Sequence, residues 1–458
     1  MSQLAETTSI ASIQQNTTPA WLVLPFAVLL CMIATGPLLY ARFWHKHYPK
    51  VALILAGLVG EYYLLVLHDF YKPIEALMEY IQFITLIGAL YIASGGIFIR
   101  INKPGTPFTN LGLLCAGAVL ANLIGTTGAS MLLIKPYMRL NKARIRVYHM
   151  IFFIWMVSNV GGALTPIGDP PLFLGFIKGV PFFWTLYHNG LPWLVALGLL
   201  SMAFLAFDIR NPHTAPASLQ DPGQSVLHIV GKRNLLWLTL IITTVFLDPH
   251  IFSWVPAITT HAGQSFSFLR EIILLGVAGL SYQCASREAL ATNGFTLEPL
   301  KEVVIIFVGI FGTMIPALDL VSRFAASEAG SALITPNTLY WGTGICSSML
   351  DNAPTYLNFG AACMAAQGAD ITKTTDVLAY AAGGVFPHSI LRLKALTIAS
   401  VFFGAATYIG NGPNFMVKSI AEHEGVHMPS FFGYIFRFVV PFLLPVLLII
   451  WLLFFAFA

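Results

Sequence analysis

Two hydrophobic stretches of this chain are interrupted by nearly the same polar phrase. Residues 165–171 read Thr-Pro-Ile-Gly-Asp-Pro-Pro, and residues 407–413 read Thr-Tyr-Ile-Gly-Asn-Gly-Pro. Thr165, Ile167, Gly168, Asp169 and Pro171 correspond to Thr407, Ile409, Gly410, Asn411 and Pro413 at a constant offset of 242. A helix cannot run smoothly through Gly-Asp-Pro-Pro, because each proline lacks an amide donor and clashes with the preceding turn. In hydrocarbon, a broken backbone survives only where protein or a watery cavity satisfies its freed groups. One matching break per half therefore predicts two discontinuous helices that share a buried site.

Composition identifies the solvent. Of 458 residues, 57% are hydrophobic and 10% charged, against about 25% charged in a soluble domain. An integral membrane protein follows, and a soluble enzyme is excluded for want of polar surface. Stretches 191–207 and 439–458 are almost free of charge over roughly the length that a bilayer core demands. The net charge of +4 resides in local basic clusters, which argues for topology rather than nucleic-acid binding. The five cysteines are scattered without a CxxC, so neither a disulfide framework nor a zinc site is indicated. The first 20 residues contain no Lys or Arg, so no signal peptide with a basic n-region is expected.

Spanning segments are expected near 21–41, 50–67, 81–100, 147–180, 183–207, 235–248, 269–285, 302–322, 394–421 and 431–457. Stretches 107–138 and 331–366 are apolar with polar centres, Asn122 to Gly128 and Ser347 to Thr355. Both read as re-entrant hairpins with their tips at mid-membrane. The alternative is an ordinary helix pair with a short loop on the far side. Loops 42–50 and 135–146 are the most basic short loops and are expected in the cytoplasm, whereas 68–80 and 249–269 suit the outside. The fold expected is an all-α polytopic membrane protein of two inverted repeats, 1–208 and 235–458. Each repeat has five spans and one hairpin, with a cytoplasmic linker at 209–234. Residues 377–391 are expected at the membrane interface.

Four polar stretches then converge: Asn122–Thr127, Ser158–Asp169, Ser347–Thr355 and Thr407–Asn414. Broken helices expose carbonyls that bind cations and amides that bind anions. Two carboxylates stand out, Asp169 in the first break and Asp351 at the second hairpin tip. An aspartate at membrane depth costs a few kcal/mol, so it is protonated, paired or bound to a cation. Asp351 is the leading candidate, flanked as it is by Ser348 and Asn352. Asp169 ranks second, with a structural helix cap as the competing role. Glu61 reads as a carboxylate hydrogen-bonded between helices, and Asp319 with Arg323 as an interfacial salt bridge. His149, His388 and Lys394 read as boundary residues that snorkel.

The run Ser158-Asn159-Val160-Gly161-Gly162-Ala163-Leu164-Thr165-Pro166-Ile167-Gly168-Asp169-Pro170-Pro171 resembles the signature of the ion transporter superfamily. That group includes NhaD-type sodium/proton antiporters, arsenite permeases, citrate–metal carriers and divalent-anion/sodium symporters. Asp351-Asn352-Ala353-Pro354 resembles the hairpin tip of the antiporter branch. The divalent-anion symporters carry Ser-Asn-Thr at each tip, whereas the tips here read Ala121-Asn122-Leu123 and Asp351-Asn352-Ala353. The resemblance implies a homodimer with a rigid scaffold and a transport region that moves like an elevator.

The function expected is secondary transport across a cell inner membrane: a sodium (or lithium)/proton antiporter with no cofactor beyond the transported Na+ and H+. Asp351, Asn352 and Asp169 are the expected Na+ ligands. Asn122, Thr126, Asn159, Thr165, Ser348, Thr407 and Asn411 supply neutral oxygens, which suit a hard cation. Asp351→Asn is expected to abolish coupling and Asp169→Asn to be milder, since Asn411 already occupies the equivalent place. One alternative is a carrier of citrate or another anion coupled to Na+ or H+. A remoter one is an intramembrane aspartyl protease, against which the Pro-Pro after Asp169 speaks.

Overall fold

The computed structural model describes residues 18–101, 105–211, 227–249, 251–252, 254–259 and 265–457. The protein is an all-α polytopic membrane protein. Among the described residues nine helices are long and apolar enough to cross a membrane, or ten if a bent pair is counted as one span. In chain order the first half comprises α1 (Leu24–Leu39), α2 (Ala41–Leu65), α3 (Tyr71–Gly95), β1 (Phe98–Ile101), α4 (Pro107–Leu140), α5 (Val147–Met156), α6 (Pro170–Lys178) and α7 (Trp184–Asp208). The second comprises β2 (Leu227–Val230), α8 (Lys232–Thr244), β3 (Ile258–Thr259), β4 (Ser265–Phe266), α9 (Phe268–Cys284), α10 (Arg287–Asn293), α11 (Glu298–Ala326), α12 (Glu328–Leu333), α13 (Pro336–Met349), α14 (Asn352–Ala365), α15 (Thr374–Ala382), α16 (Ser389–Phe402), α17 (Gly412–His423) and α18 (Phe431–Phe454).

The 34 residues of α4 do not form one rod. Gly125 has φ 79° and ψ 154°, a conformation that only glycine adopts freely. Asn110 and Asn141 exchange side-chain hydrogen bonds, 2.8 Å each way. A straight helix would hold them roughly 46 Å apart at 1.5 Å per residue, so the chain doubles back at Gly125. The second polar-centred stretch folds the same way. α13 ends at Met349, Leu350 and Asp351 are extended, and α14 returns beside it. Both hairpins start on a Thr-Pro pair, in which Thr106 or Thr335 caps the helix and proline fills the first turn.

Burial separates the centre from the lipid face. The segments Val147–Leu164 and Ser389–Ala406 are 83% and 78% buried in protein, against 17% for α2. The two broken helices thus form the core, and α1, α2, α7 and α18 surround it.

Several expectations are corrected. Residues 42–50 are not a loop but the first turns of α2, and most of 68–80 belongs to α3. α8, expected at 235–248, is 13 residues long, too short for a bilayer crossing. α9 turns by 96° into α10. The linker is in part structured: β2 pairs antiparallel with β1 just before the first hairpin, while 212–226 lie outside the described residues. Within 377–391, α15 ends in a turn built on positive φ at Gly383, Gly384 and His388. Residues 1–17 also lie outside the described residues.

Two side-chain expectations fail because charged groups find partners far along the chain, and a third fails because its carboxylate faces outward. Asp319 pairs with Lys72 (2.5 Å) and accepts from Tyr63 and Thr18, while Arg323 donates to the Thr18 carbonyl. His149 does not snorkel; it is fully buried, with Nε2 3.1 Å from Asp208. Glu61 is not bridged between helices. It is exposed on α2, with no hydrogen bond or ion pair among the described residues. Lys394 is half-buried, its ammonium 4.7 Å from the Phe454 ring centroid. Buried ion pairs also tie the bundle together, Arg144 to Asp208 (2.8 Å) and Lys178 to Glu79 (2.5 Å).

Candidate functional site

In the first half the chain leaves α5, makes a 3-10 turn over Val160–Leu164, passes through a second turn over Pro166–Gly168 between extended Thr165 and Asp169, and enters α6 at Pro170. In the second it leaves α16, turns through Phe403–Ala406, bends between extended Thr407 and Asn411 and enters α17. Each irregular segment lies against the 3-10 turn before it so closely that a Cβ on Gly168 would sit 2.1 Å from the Gly162 carbonyl oxygen. A Cβ on Gly410 would meet the Gly404 oxygen at 2.7 Å. Both sites require glycine for clearance.

The freed backbone groups are satisfied from the hairpin tips. Asn122 donates to the Gly161 carbonyl (2.6 Å) and its Oδ1 accepts from the Leu164 amide (2.8 Å). Thr165 donates to the Asn122 carbonyl, and Thr407 donates to the Ser348 carbonyl, each at 2.5 Å. The Thr126 amide donates to the Gly168 carbonyl (2.8 Å). Three residues of α7 that were missed from sequence complete the first break: Thr185, Asn189 and Trp193 donate to the carbonyls of Leu164, Ala163 and Gly161. Their spacing of i, i+4, i+8 is one helix face, a polar stripe visible in an otherwise apolar span.

Asp169 lies at the centre, 1% exposed. It occupies the N-cap position of α6 yet makes no capping hydrogen bond. Its Oδ1 instead accepts from Thr126 Oγ1 (2.8 Å) and Asn411 Nδ2 (2.9 Å), and its Oδ2 from Asn352 Nδ2 (2.5 Å). Asn411 also faces the Ser158 carbonyl and Asn159 Oδ1, both at 3.2 Å. Asn159 donates to Asn414 Oδ1 (2.6 Å), which sequence reasoning had not singled out. All three donors to Asp169 are neutral. Both hairpins and both breaks therefore contribute to one carboxylate that has no basic partner.

The capping role falls to Asp351, which is half-buried and accepts from the Ala353 amide (3.0 Å) at the start of α14. Ser348 directs its hydroxyl to the Ile345 carbonyl of its own helix (2.7 Å). Of the ten residues expected at the site, Asp169, Asn352, Thr126, Asn411 and Asn159 form the central cluster. Asn122, Thr165 and Thr407 hold the breaks, while Asp351 and the Ser348 hydroxyl stand apart from Asp169's hydrogen bonds.

The Oδ1 of Asn352 is buried without a hydrogen-bond partner, an oxygen free to accept from or coordinate a guest. A cavity of about 40 Å³ reaches Asp169, lined by Gly125, Thr126, Thr127, Ile167, Leu90 and Phe173 among others. That volume suits a water or a small ion; pockets for drug-sized molecules measure about 300–1,000 Å³.

A membrane-embedded bundle whose discontinuous helices surround a shielded polar centre is a transporter fold by its architecture. A family profile described as "Putative citrate transport" matches residues 15–455, nearly the whole chain. The protein belongs to that family, a citrate transporter-like group of carriers within the ion transporter superfamily. No curated protein matches the chain.

Proposed function

We propose that this carrier exchanges Na+ (or Li+) for H+, with Asp169 as the group that binds one or the other. A buried carboxylate met only by neutral donors carries this reading, because it needs a proton or a cation to balance its charge. Asn352 serves both states. Its amide donates to the ionised carboxylate, and after a flip its oxygen accepts from the protonated acid. In the ionised state its unpartnered oxygen, the carboxylate and the neighbouring amide and hydroxyl oxygens make the all-oxygen set that a hard cation prefers.

On this reading the two halves are inverted repeats whose hairpins re-enter from opposite sides of a cell inner membrane, in a homodimer. The similar threonine-to-tip hydrogen bonds of Thr165 and Thr407 support the repeat.

The family's description favours a second reading, transport of citrate coupled to Na+ or H+. Asp169 would then hold the coupling ion. A carboxylate substrate calls for basic groups or helix N-termini; the cluster offers the N-termini of α6, α14 and α17, but none of the donors to Asp169 is basic.

Proteoliposomes with an acid interior test the choice. External Na+ or Li+ should discharge the pH gradient, K+ less so, with citrate making no difference. Saturable citrate uptake driven by Na+ or H+, without cation-dependent proton efflux in its absence, would reject the antiporter and leave the citrate carrier.

A further inference from the structure

A cleft of about 430 Å³ opens where the first turn of α5, the end of α7 and the π-helical stretch Ile435–Leu443 of α18 meet. Two exposed arginines, Arg146 and Arg210, and three half-buried aromatic side chains, Tyr148, Phe207 and Phe438, line it. The buried acid nearby in sequence is already committed. Asp208 accepts from Arg144 (2.8 Å), Tyr148 (2.6 Å) and Asn110 (2.9 Å). Arg146 and Arg210 have no carboxylate within ion-pair distance among the described residues. Among the described residues, two guanidinium groups thus face a cleft with no carboxylate paired to them.

We propose that this cleft binds an anionic phospholipid, its headgroup phosphate held between Arg146 and Arg210. Guanidinium is the side chain best matched to phosphate, which it grips with paired N–H donors. The choice of a lipid over a soluble anion rests on what adjoins the cleft. Met202 on α7, Ile209 between its end and Arg210, and Phe436 and Val440 on α18 are exposed apolar side chains, which offer a surface for acyl chains. The cleft also lies at the basic end of the bundle with Arg139 and Lys142, the end that the positive-inside rule assigns to the anionic cytoplasmic leaflet.

Native mass spectrometry of the detergent-purified protein tests the site, with phosphatidylglycerol and phosphatidylcholine as probes. Phosphatidylglycerol should remain bound under conditions that strip phosphatidylcholine. Arg146→Ala and Arg210→Ala should each weaken retention roughly fivefold, and the double variant about thirtyfold. Both residues are exposed, so the variants should elute from gel filtration as the parent does. If they aggregate, the comparison of the two lipids on the parent protein still decides. Equal retention of the two lipids, or a monodisperse double variant that holds phosphatidylglycerol like the parent, would overturn the proposal. So would displacement of the lipid by millimolar inorganic phosphate, which would assign the arginines to a soluble anion.

Discussion

Asn352 and Asp169, 183 residues apart in the chain, meet side chain to side chain, with the Asn352 amide donating to Asp169 Oδ2 at 2.5 Å. One comes from a hairpin tip of the second half and the other from the break of the first. Any movement that separates those elements removes a hydrogen bond from a buried carboxylate. On the proposed reading, ion occupancy at Asp169 and the packing of the two halves are thereby linked.

Asp169→Asn should reduce cation-dependent proton efflux to the background of empty liposomes, and Asp351→Asn should retain a measurable fraction. This order reverses the one drawn from sequence, because Asp351 caps α14 while Asp169 receives both halves. Loss of activity confined to Asp351→Asn would show that the hub is not the ion site.

Asn352→Ala removes both a donor to Asp169 and the unpartnered oxygen. The Na+ concentration for half-maximal efflux should rise about 10–100-fold, as for other outer partners of ion ligands. An unchanged value would remove Asn352 from the ion's surroundings.

The pH dependence follows from competition for one carboxylate. Below the carboxyl's pKa, protons occupy Asp169, and the half-saturating Na+ concentration should fall roughly tenfold per pH unit as pH rises. Above it the value should level off. A half-saturating concentration that stays constant down to a pH at which protons inhibit efflux would separate the proton site from the sodium site.

Arg144→Leu leaves Asp208 buried beside only neutral donors and His149. Losing one partner of a buried pair costs about 3–5 kcal/mol, so detergent-solubilised variant should unfold at clearly lower temperature. Replacing both residues, Arg144→Leu with Asp208→Leu, should recover much of the loss. A double variant no better than the single one would mean that packing, not charge, holds this corner.

Topology can be checked in a cysteine-free background. Single cysteines at the exposed positions of Lys46 and Lys142 should resist an impermeant thiol reagent added outside, and one at the position of Ile258 should react. The opposite pattern would invert the membrane orientation.

The sequence by itself determined the solvent, the helical class and the places where helices fail. Proline lacks an amide and glycine lacks a Cβ wherever they stand, so Gly-Asp-Pro-Pro and Thr-Pro act locally. The polar tips at Asn122 and Asn352 were legible for a related reason: an apolar chain keeps few amides without use for them. Which of the two aspartates caps its own helix was not legible. Whether a carboxylate caps its own helix, as Asp351 does, or turns away from it, as Asp169 does, depends on donors from distant segments. The same holds for Asp319, whose partner lies 247 residues away in Lys72 rather than one turn away in Arg323. A charged or polar group takes the best-placed partner in space, and only the tertiary structure decides which residue that is.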